Sequence, residues 1–407
     1  MFGQVGNPGS GEPLPRSLYA DTAGAAARTP PLEGEARASV AIVGAGMTGL
    51  STAIALGERG VDCAVLEASE PGWGASGRNG GHINPGLKHD PDEIERDFGP
   101  DLGRRMVRFS YGAADAVFDL VARYGIECEI GRGGGYRAAI GERNADSVRR
   151  LADQLLARGM PVEMHDRARI REATGTDRYA AGLYDRRAGQ LHPLKYSRGL
   201  ARAAQSVGAA LHCDTPVAAV EKANGGWRLR TPRGSLLADR VLFATNGYTG
   251  PLVPGLRNSI LPVFSSIVAS RPMPESLRDR LLGARQVLYE SGRITTYYRV
   301  DAAGRLIFGG RGVMRAAEGP GRFPDLTEYA GRLWPELRQV GWEYGWNGRL
   351  AVTADHYPHV HDLGDGRLVC LGYNGRGVAV ASAIGEQLAG RLVDGRFQLD
   401  LPVSAIR

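Results

Sequence analysis

Gly44, Gly46 and Gly49 stand in the run GAGMTG, and Glu67 follows about 20 residues on. The chemistry this spacing suits is the holding of a dinucleotide. Gly44 allows a tight turn, Gly46 lets backbone approach a pyrophosphate, and Gly49 lets a helix pack closely on the preceding strand. Ala45, Met47 and Thr48 complete the turn and open the helix, where unpaired N–H groups and the helix dipole favour an anion. Glu67, with Ala68 beside it, is placed to accept ribose hydroxyls. Two further glycine clusters follow, GASGRNGG at 74–81 and GYNGRG at 372–377.

These residues need particular elements to position them. The apolar run 40–43 reads as a strand, Leu50, Ala53 and Leu56 mark one helix face, and 63–66 reads as a second strand ending at Glu67. VLFATNGY, at 241–248, is an apolar strand ending in a small polar turn at Ala244 and Thr245, which fits a second nucleotide-contacting edge. Residues 90–124 carry a helical pattern through Met106, Phe109, Ala113, Val117 and Leu120. A strand at 133–141 and a helix at 144–158 follow, the helix closed by Gly159 and Pro161. Strands are expected at 209–213, 227–231 and 241–244, with a turn at Asn224-Gly225-Gly226. From 261 to 311 strand-like runs suggest an antiparallel sheet, a helix is expected at 326–337, and the tail again reads strand, glycine loop, helix.

A chain of 407 residues is long for one core, so two domains are expected. Its net charge of +6 arises from scattered arginines, the only lysines being Lys88, Lys195 and Lys222. No basic run is interleaved with aromatics, which argues against a nucleic-acid partner. Cys63, Cys128, Cys213 and Cys370 are far apart and form no CxxC, as expected of reduced thiols in a cytoplasmic protein without a metal site or disulfides. No signal peptide or membrane span is apparent, and residues 1–37, rich in Gly, Pro and Ala, are expected to run over the surface.

A nicotinamide dehydrogenase has no need of GASGRNGG, whereas the flavin end of FAD must be cradled by close backbone. The block resembles the FAD-dependent oxidoreductases of the D-amino-acid oxidase (DAO) and sarcosine oxidase family, and is most similar to the branch containing gamma-glutamylputrescine oxidoreductase. GQLHPLKYSRGLARAA, TYYRVDAAGRLIFGGRG, WNGRLAVTADHYPHV and LGYNGRGVAVAS continue the likeness in order, from about Ser17 to the C-terminus. The resemblance implies an α/β fold, with a Rossmann-like FAD-binding domain (38–90, 166–250, 342–407) interrupted by an α+β substrate domain (91–165, 251–341) whose sheet is mainly antiparallel.

The resemblance also implies roles. Gly44, Gly46, Gly49 and Glu67 would hold the ADP half, with Val217 meeting adenine. Ser76, Arg78, Asn79, Gly80 and Gly81 would line the isoalloxazine, with Arg349 near the ring. Gly372, Asn374, Gly375, Arg376, Gly377 and Val378 would face the flavin pyrimidine, their N–H groups stabilising the charge of the reduced ring. Gly348 stands where sarcosine oxidases carry the cysteine that attaches FAD, so non-covalent FAD is implied. Ala379 replaces a carboxylate-binding lysine, and Arg311 is the one basic residue where those enzymes place a lysine for oxygen reduction.

The implied reaction takes a small-molecule amine: hydride moves from its carbon to flavin N5, and the imine hydrolyses, with oxygen or another acceptor regenerating the flavin. Tyr297, Tyr298, Arg299 and His82 are candidates for the substrate wall, although on a strand Tyr298 must face away from Tyr297 and Arg299. His192 is expected to be structural. Asp355, His356, His359, His361 and Asp362 could suggest a metal site, but the resemblance would put the start of the group in a strand near the flavin and most of the rest in a surface turn. A D-amino-acid dehydrogenase, another N-substituted amino acid oxidase, and a non-catalytic or RNA-modifying flavoprotein remain alternatives.

Overall fold

The glycine turn is set between parallel strands in a computed structural model that describes residues 12–26, 29–223, 225–292 and 295–406. The first eleven residues of the expected N-terminal extension lie outside the described residues. Gly34–Val43 pairs in parallel with Cys63–Leu66 on one side and Gly234–Phe243 on the other. The sheet runs His359–Asp362, Arg367–Leu371, Gly234–Phe243, Gly34–Val43, Cys63–Leu66, Ala210–His212, with only its first pair antiparallel along this path. A hairpin of Ala219–Ala223 and Gly226–Arg230 extends it from Gly234–Phe243.

Residues 40–43 and 63–66 are buried on both faces, which explains why they read as continuous apolar runs rather than alternating ones. Helices Met47–Glu58 and Gly377–Val393 pack together at Gly385, where a Cβ would lie 2.4 Å from Ser51 Oγ. Ser51 Oγ donates to the Ala381 carbonyl at 3.0 Å, so the contact is polar as well as close.

The second sheet runs Trp342–Val352, Leu261–Pro272, Arg305–Arg311, Tyr297–Val300, Val287–Ser291, Gly135–Ala139, Ala181–Asp185, Val162–His165. All its pairs are antiparallel except Val287–Ser291 with Gly135–Ala139. Helix Pro91–Tyr124 starts with an Asp90/Glu93 capping box and kinks at Gly99, whose φ of 73° precedes Pro100.

Several expectations shift. Trp342–Val352 and Ala181–Asp185, which the resemblance would place in the FAD-binding domain, pair inside the second sheet, because their backbone groups find partners in Leu261–Pro272 and Gly135–Ala139. The helix expected over 326–337 splits into Pro324–Leu333 and Leu337–Val340. Pro335 forces the residue before it out of the helical region, and Trp334 is extended at φ −138°, ψ 92°. His359–Asp362 is a strand, not a surface turn, and His361 is buried. The segment before the first strand is not confined to the surface either. Leu18 and Tyr19, in helix Leu18–Thr22, are buried against Leu194, Ile267, Ala269, Ile307 and Trp346.

Candidate active site

The first glycine turn is built as its spacing implies. Gly44 has φ +107° and a Cβ there would sit 3.0 Å from the Ala244 carbonyl; at Gly49 a Cβ would sit 2.0 Å from the Gly44 carbonyl. Ala244 N donates to Val43 O, so the 244–245 strand end lies beside the turn, and Thr245 bonds Thr249 at 2.8 Å. Glu67 is buried and accepts N–H bonds from Ala45 (2.7 Å) and Ser69 (3.0 Å). Burial pushes its carboxyl above the usual range, against those hydrogen bonds. Half-buried Val217 lies just past Thr215, whose N–H donates to the Glu67 carbonyl.

Loop 74–81 is braced from within. Ser76 Oγ accepts from Met47 N at 3.0 Å, and the Gly46 Cβ position lies only 2.9 Å from that oxygen. Asn79 Nδ2 donates to Ser76 O while its Oδ1 accepts from Gly81 N. Both polar side chains therefore hold the loop's shape. Arg78 lies 4.2 Å over the Trp73 ring and donates Nε to Trp73 O, leaving Nη2 buried without a partner among the described residues. In the last loop Gly372 N donates to Asn246 Oδ1, and Asn374 Oδ1 accepts from Thr353 N. Gly372, Asn374 and Gly375 have positive φ, and Gly377 opens the final helix.

The second sheet supplies the facing wall. Arg137, Tyr289, Tyr297, Gly309, Ile267 and Trp346 are successive register partners and form one row across it. Tyr297 is wedged between loop and sheet, since a Cβ at Gly80 would fall 2.5 Å from its ring and one at Gly309 2.3 Å. Between the two loops and this row lies a cavity of about 820 Å³, lined among others by Arg78, Asn79, His82, Phe264, Tyr297 and Val378. Gly348 also lines it and faces Arg78, whose Cβ is 3.1 Å from the Gly348 Cβ position.

Three residues expected at the wall or the ring, Tyr298, Arg299 and Arg349, do not line this space. Tyr298 points to the other side of the sheet and is buried between Phe308 and Trp334, as strand alternation requires. Arg349, one residue past Gly348, lies on the opposite face of its strand, 4.4 Å over the Tyr248 ring. Arg311 does line the cavity, from an exposed position at a strand end.

The cavity is rich in cations. Lys88, Arg137, Arg311 and Arg376 line it, and Arg137 pairs with Asp90 at 2.8 Å. Arg376 lies 4.3 Å over the Tyr289 ring. Desolvation, then Arg376 and Arg137, hold the Lys88 ammonium below its usual pKa. His82 is pushed down to about 3 by burial first, then by Arg299 and Arg376, so its imidazole is neutral in ordinary buffers. Its Nε2 is buried without a partner among the described residues. Lys88, Arg137, Tyr289 and Phe264 were not among the sequence candidates. They come from segments far apart in the chain: sheet register brings Arg137, Tyr289 and Phe264 to the cavity, and the loop before helix Pro91–Tyr124 brings Lys88.

The residues present fit FAD: a glycine turn without room for side chains, a buried acid beside it, and partnerless polar atoms on Arg78 and His82 at the second loop. The sequence matches the family described as DAO, FAD dependent oxidoreductase, over residues 39–391. The chain belongs to the DAO family of FAD-dependent oxidoreductases. Among DAO-family relatives it is 30% identical over 385 residues to a probable oxidoreductase OrdL of Haemophilus influenzae, covering 93% of this chain and 87% of that one. It is also 30% identical over 380 residues to gamma-glutamylputrescine oxidoreductase of Escherichia coli, with the same coverage. A crystal structure of glycine oxidase from Geobacillus kaustophilus shares the fold at TM-score 0.77 and 23% identity, covering 91% of this chain and 99% of that one. Among the described residues no helix is long and apolar enough to cross a membrane.

Proposed function

We propose that the chain oxidises the carbon–nitrogen bond of an amine with non-covalently held FAD, in the manner of gamma-glutamylputrescine oxidoreductase. The observation that carries this reading is the cation-lined cavity of about 820 Å³ bounded by both flavin loops and the second sheet. Bound FAD supplies a two-electron acceptor at N5 for the hydride on the amine carbon, and the resulting imine hydrolyses to an aldehyde or keto acid. Gly44, Gly46, Gly49 and Glu67 hold its ADP half, and the 74–81 and 372–378 loops hold the ring. Non-covalent binding is supported by Gly348 and by the four cysteines, all buried and none on the cavity wall.

The protein's own part is positioning and electrostatics. An ammonium is a poor hydride donor, so the substrate must enter as, or become, the free amine. Lys88, Arg137 and Arg376 disfavour a further positive charge and so lower the pKa of a bound amine, which makes a dedicated base unnecessary. The same cations favour an amine that also carries a carboxylate over a simple diamine. That lining gives D-amino acids and N-substituted amino acids standing as a second substrate reading. Purified protein loaded with FAD, mixed anaerobically with gamma-glutamyl amines, free diamines, D-amino acids and N-methyl amino acids, tests both. Bleaching of the flavin bands by one carboxylated class is expected. Failure to take up FAD, or no bleaching with any amine, would overturn the reading; the rate of recolouring in air against a dye then separates oxidase from dehydrogenase.

A further inference from the structure

Arg299 lies outside the cavity yet touches the loop that forms it. It is 2% exposed, and its three nitrogens donate to neutral acceptors only: Nε to Gly80 O at 2.8 Å, Nη1 to Gln190 Oε1 at 2.8 Å, and Nη2 to the Tyr19 hydroxyl at 3.2 Å. The nearby acids Glu129 and Asp301 attract it through space but make no direct bond to it. Glu129 pairs with Lys195 at 2.6 Å, and Asp301 accepts from Ala303 N and Arg305 N. Among the described residues, then, the buried guanidinium has no carboxylate within ion-pair distance and feels Asp301 and Glu129 only through space, an unfavourable arrangement by the general rule for buried ions.

The surroundings are built to keep it there. Gln190 is fully buried and its Nε2 donates to Arg285 O, which orients Oε1 toward Arg299. Gly81 has φ +73°, and a Cβ there would meet Arg299 Nε and Nη2 at 2.9 Å. Tyr19 is buried on the N-terminal strap. That strap also ties to the first sheet's side, through Ser69 Oγ donating to Glu12 O and Trp73 Nε1 donating to Pro13 O. A structural salt bridge would not need this; a fixed positive charge behind a cofactor loop would.

We propose that Arg299 is an electrostatic positioning residue for the flavin, a buried cation whose missing counter-charge is the negative charge the ring gains on reduction. A ring that accepts a hydride without a further proton gains one negative charge. A fixed cation behind Gly80 and Gly81 stabilises that form over the oxidised one and raises the reduction potential. Tyr19, Gln190 and Gly80 hold the charge in place without neutralising it. The inference rests on FAD being bound but needs no substrate.

The test uses the FAD-loaded protein, sulfite as the probe and dye-linked potentiometry. Wild type is expected to bind sulfite and to hold a midpoint potential above that of free FAD. Arg299→Gln is expected to weaken sulfite binding about tenfold, corresponding to about 30 mV for a two-electron couple. Arg299→Lys keeps most of the wild-type value, and Tyr19→Phe, which retains the charge, leaves the potential unchanged. An unaltered potential in a folded, FAD-bound Arg299→Gln protein overturns the proposal. So does a wild-type potential at or below that of free FAD, which decides the matter even if the glutamine variant does not fold. Failure of the amine screen would leave these readouts intact, so the two readings fail separately.

Discussion

Neighbouring tyrosines on one strand have opposite fates. Tyr297 is wedged under Gly80 with its hydroxyl 2.9 Å from Ser265 Oγ, while Tyr298 fills the core behind the sheet. Tyr298→Ala is expected to cost about 3–5 kcal/mol of stability, as large aromatic truncations do, while leaving the spectrum of bound flavin unchanged. Tyr297→Ala should instead perturb that spectrum. Denaturant unfolding and absorbance of the FAD-loaded variants check the pair. His192 offers a pH-dependent case. Its Nδ1 accepts from Lys195 N as the cap of helix Pro193–Ser206, so the neutral ring carries its proton on Nε2 and donates to Thr22 Oγ1. Burial, its largest influence, pushes the pKa down to about 3. The unfolded chain takes up a proton below about 6.5 and the folded chain does not, so stability falls as pH drops from about 6.5 toward 3. His192→Asn, which can still cap, should flatten that decline by up to about 1.4 kcal/mol per pH unit; an unchanged slope in urea melts would show that the histidine is not the cause.

At the scale of elements, the glycines divide into those that hold the site and those that do not. Gly49→Ala places a methyl 2.0 Å from the Gly44 carbonyl, where strand and helix meet. A loss of about 1–3 kcal/mol and of FAD retention on gel filtration is expected. Gly112 is exposed on helix Pro91–Tyr124, and a Cβ there meets nothing within 4 Å. Gly112→Ala should therefore raise stability by about 0.5–1 kcal/mol, seen as a higher Tm with unchanged FAD binding. Strand and helix existence was legible from periodicity because the first sheet's strands and helices bury continuous or one-faced apolar runs. Boundaries were less so: Pro335 cut a helix that its apolar spacing alone would have continued.

For the whole molecule, two sheets meet around one cavity, and the N-terminal strap crosses between them. Ligand linkage gives a direct test. FAD at one hundred times its dissociation constant should stabilise the protein by about 2.7 kcal/mol, measured as a rise in Tm with added FAD over apoprotein; no rise would contradict the site assigned to the glycine turn. Leu18 and Tyr19 are part of this level of organisation, since they fill a cluster with Ile267, Ile307 and Trp346 from the second sheet. Nothing in a Gly- and Pro-rich N-terminal stretch signals that burial, because its partners lie hundreds of residues away.

By itself the sequence determined the local parts: the Gly44–Gly49 turn, Glu67 at the end of the next strand, the glycine-rich loops at 74–81 and 372–377 and the alternation that separates Tyr297 from Tyr298. Each depends on residues close in the chain, where sterics and periodicity act directly. Only the tertiary structure decided that Trp342–Val352 joins the second sheet, that Arg137 and Tyr289 stand in register with Tyr297, and that Arg349 turns away from the cavity. It also decided that Arg299 is buried with no carboxylate at ion-pair distance among the described residues. Those outcomes depend on strand order and register, which follow from burying both sheets' apolar faces at once and leave no signature at any single position.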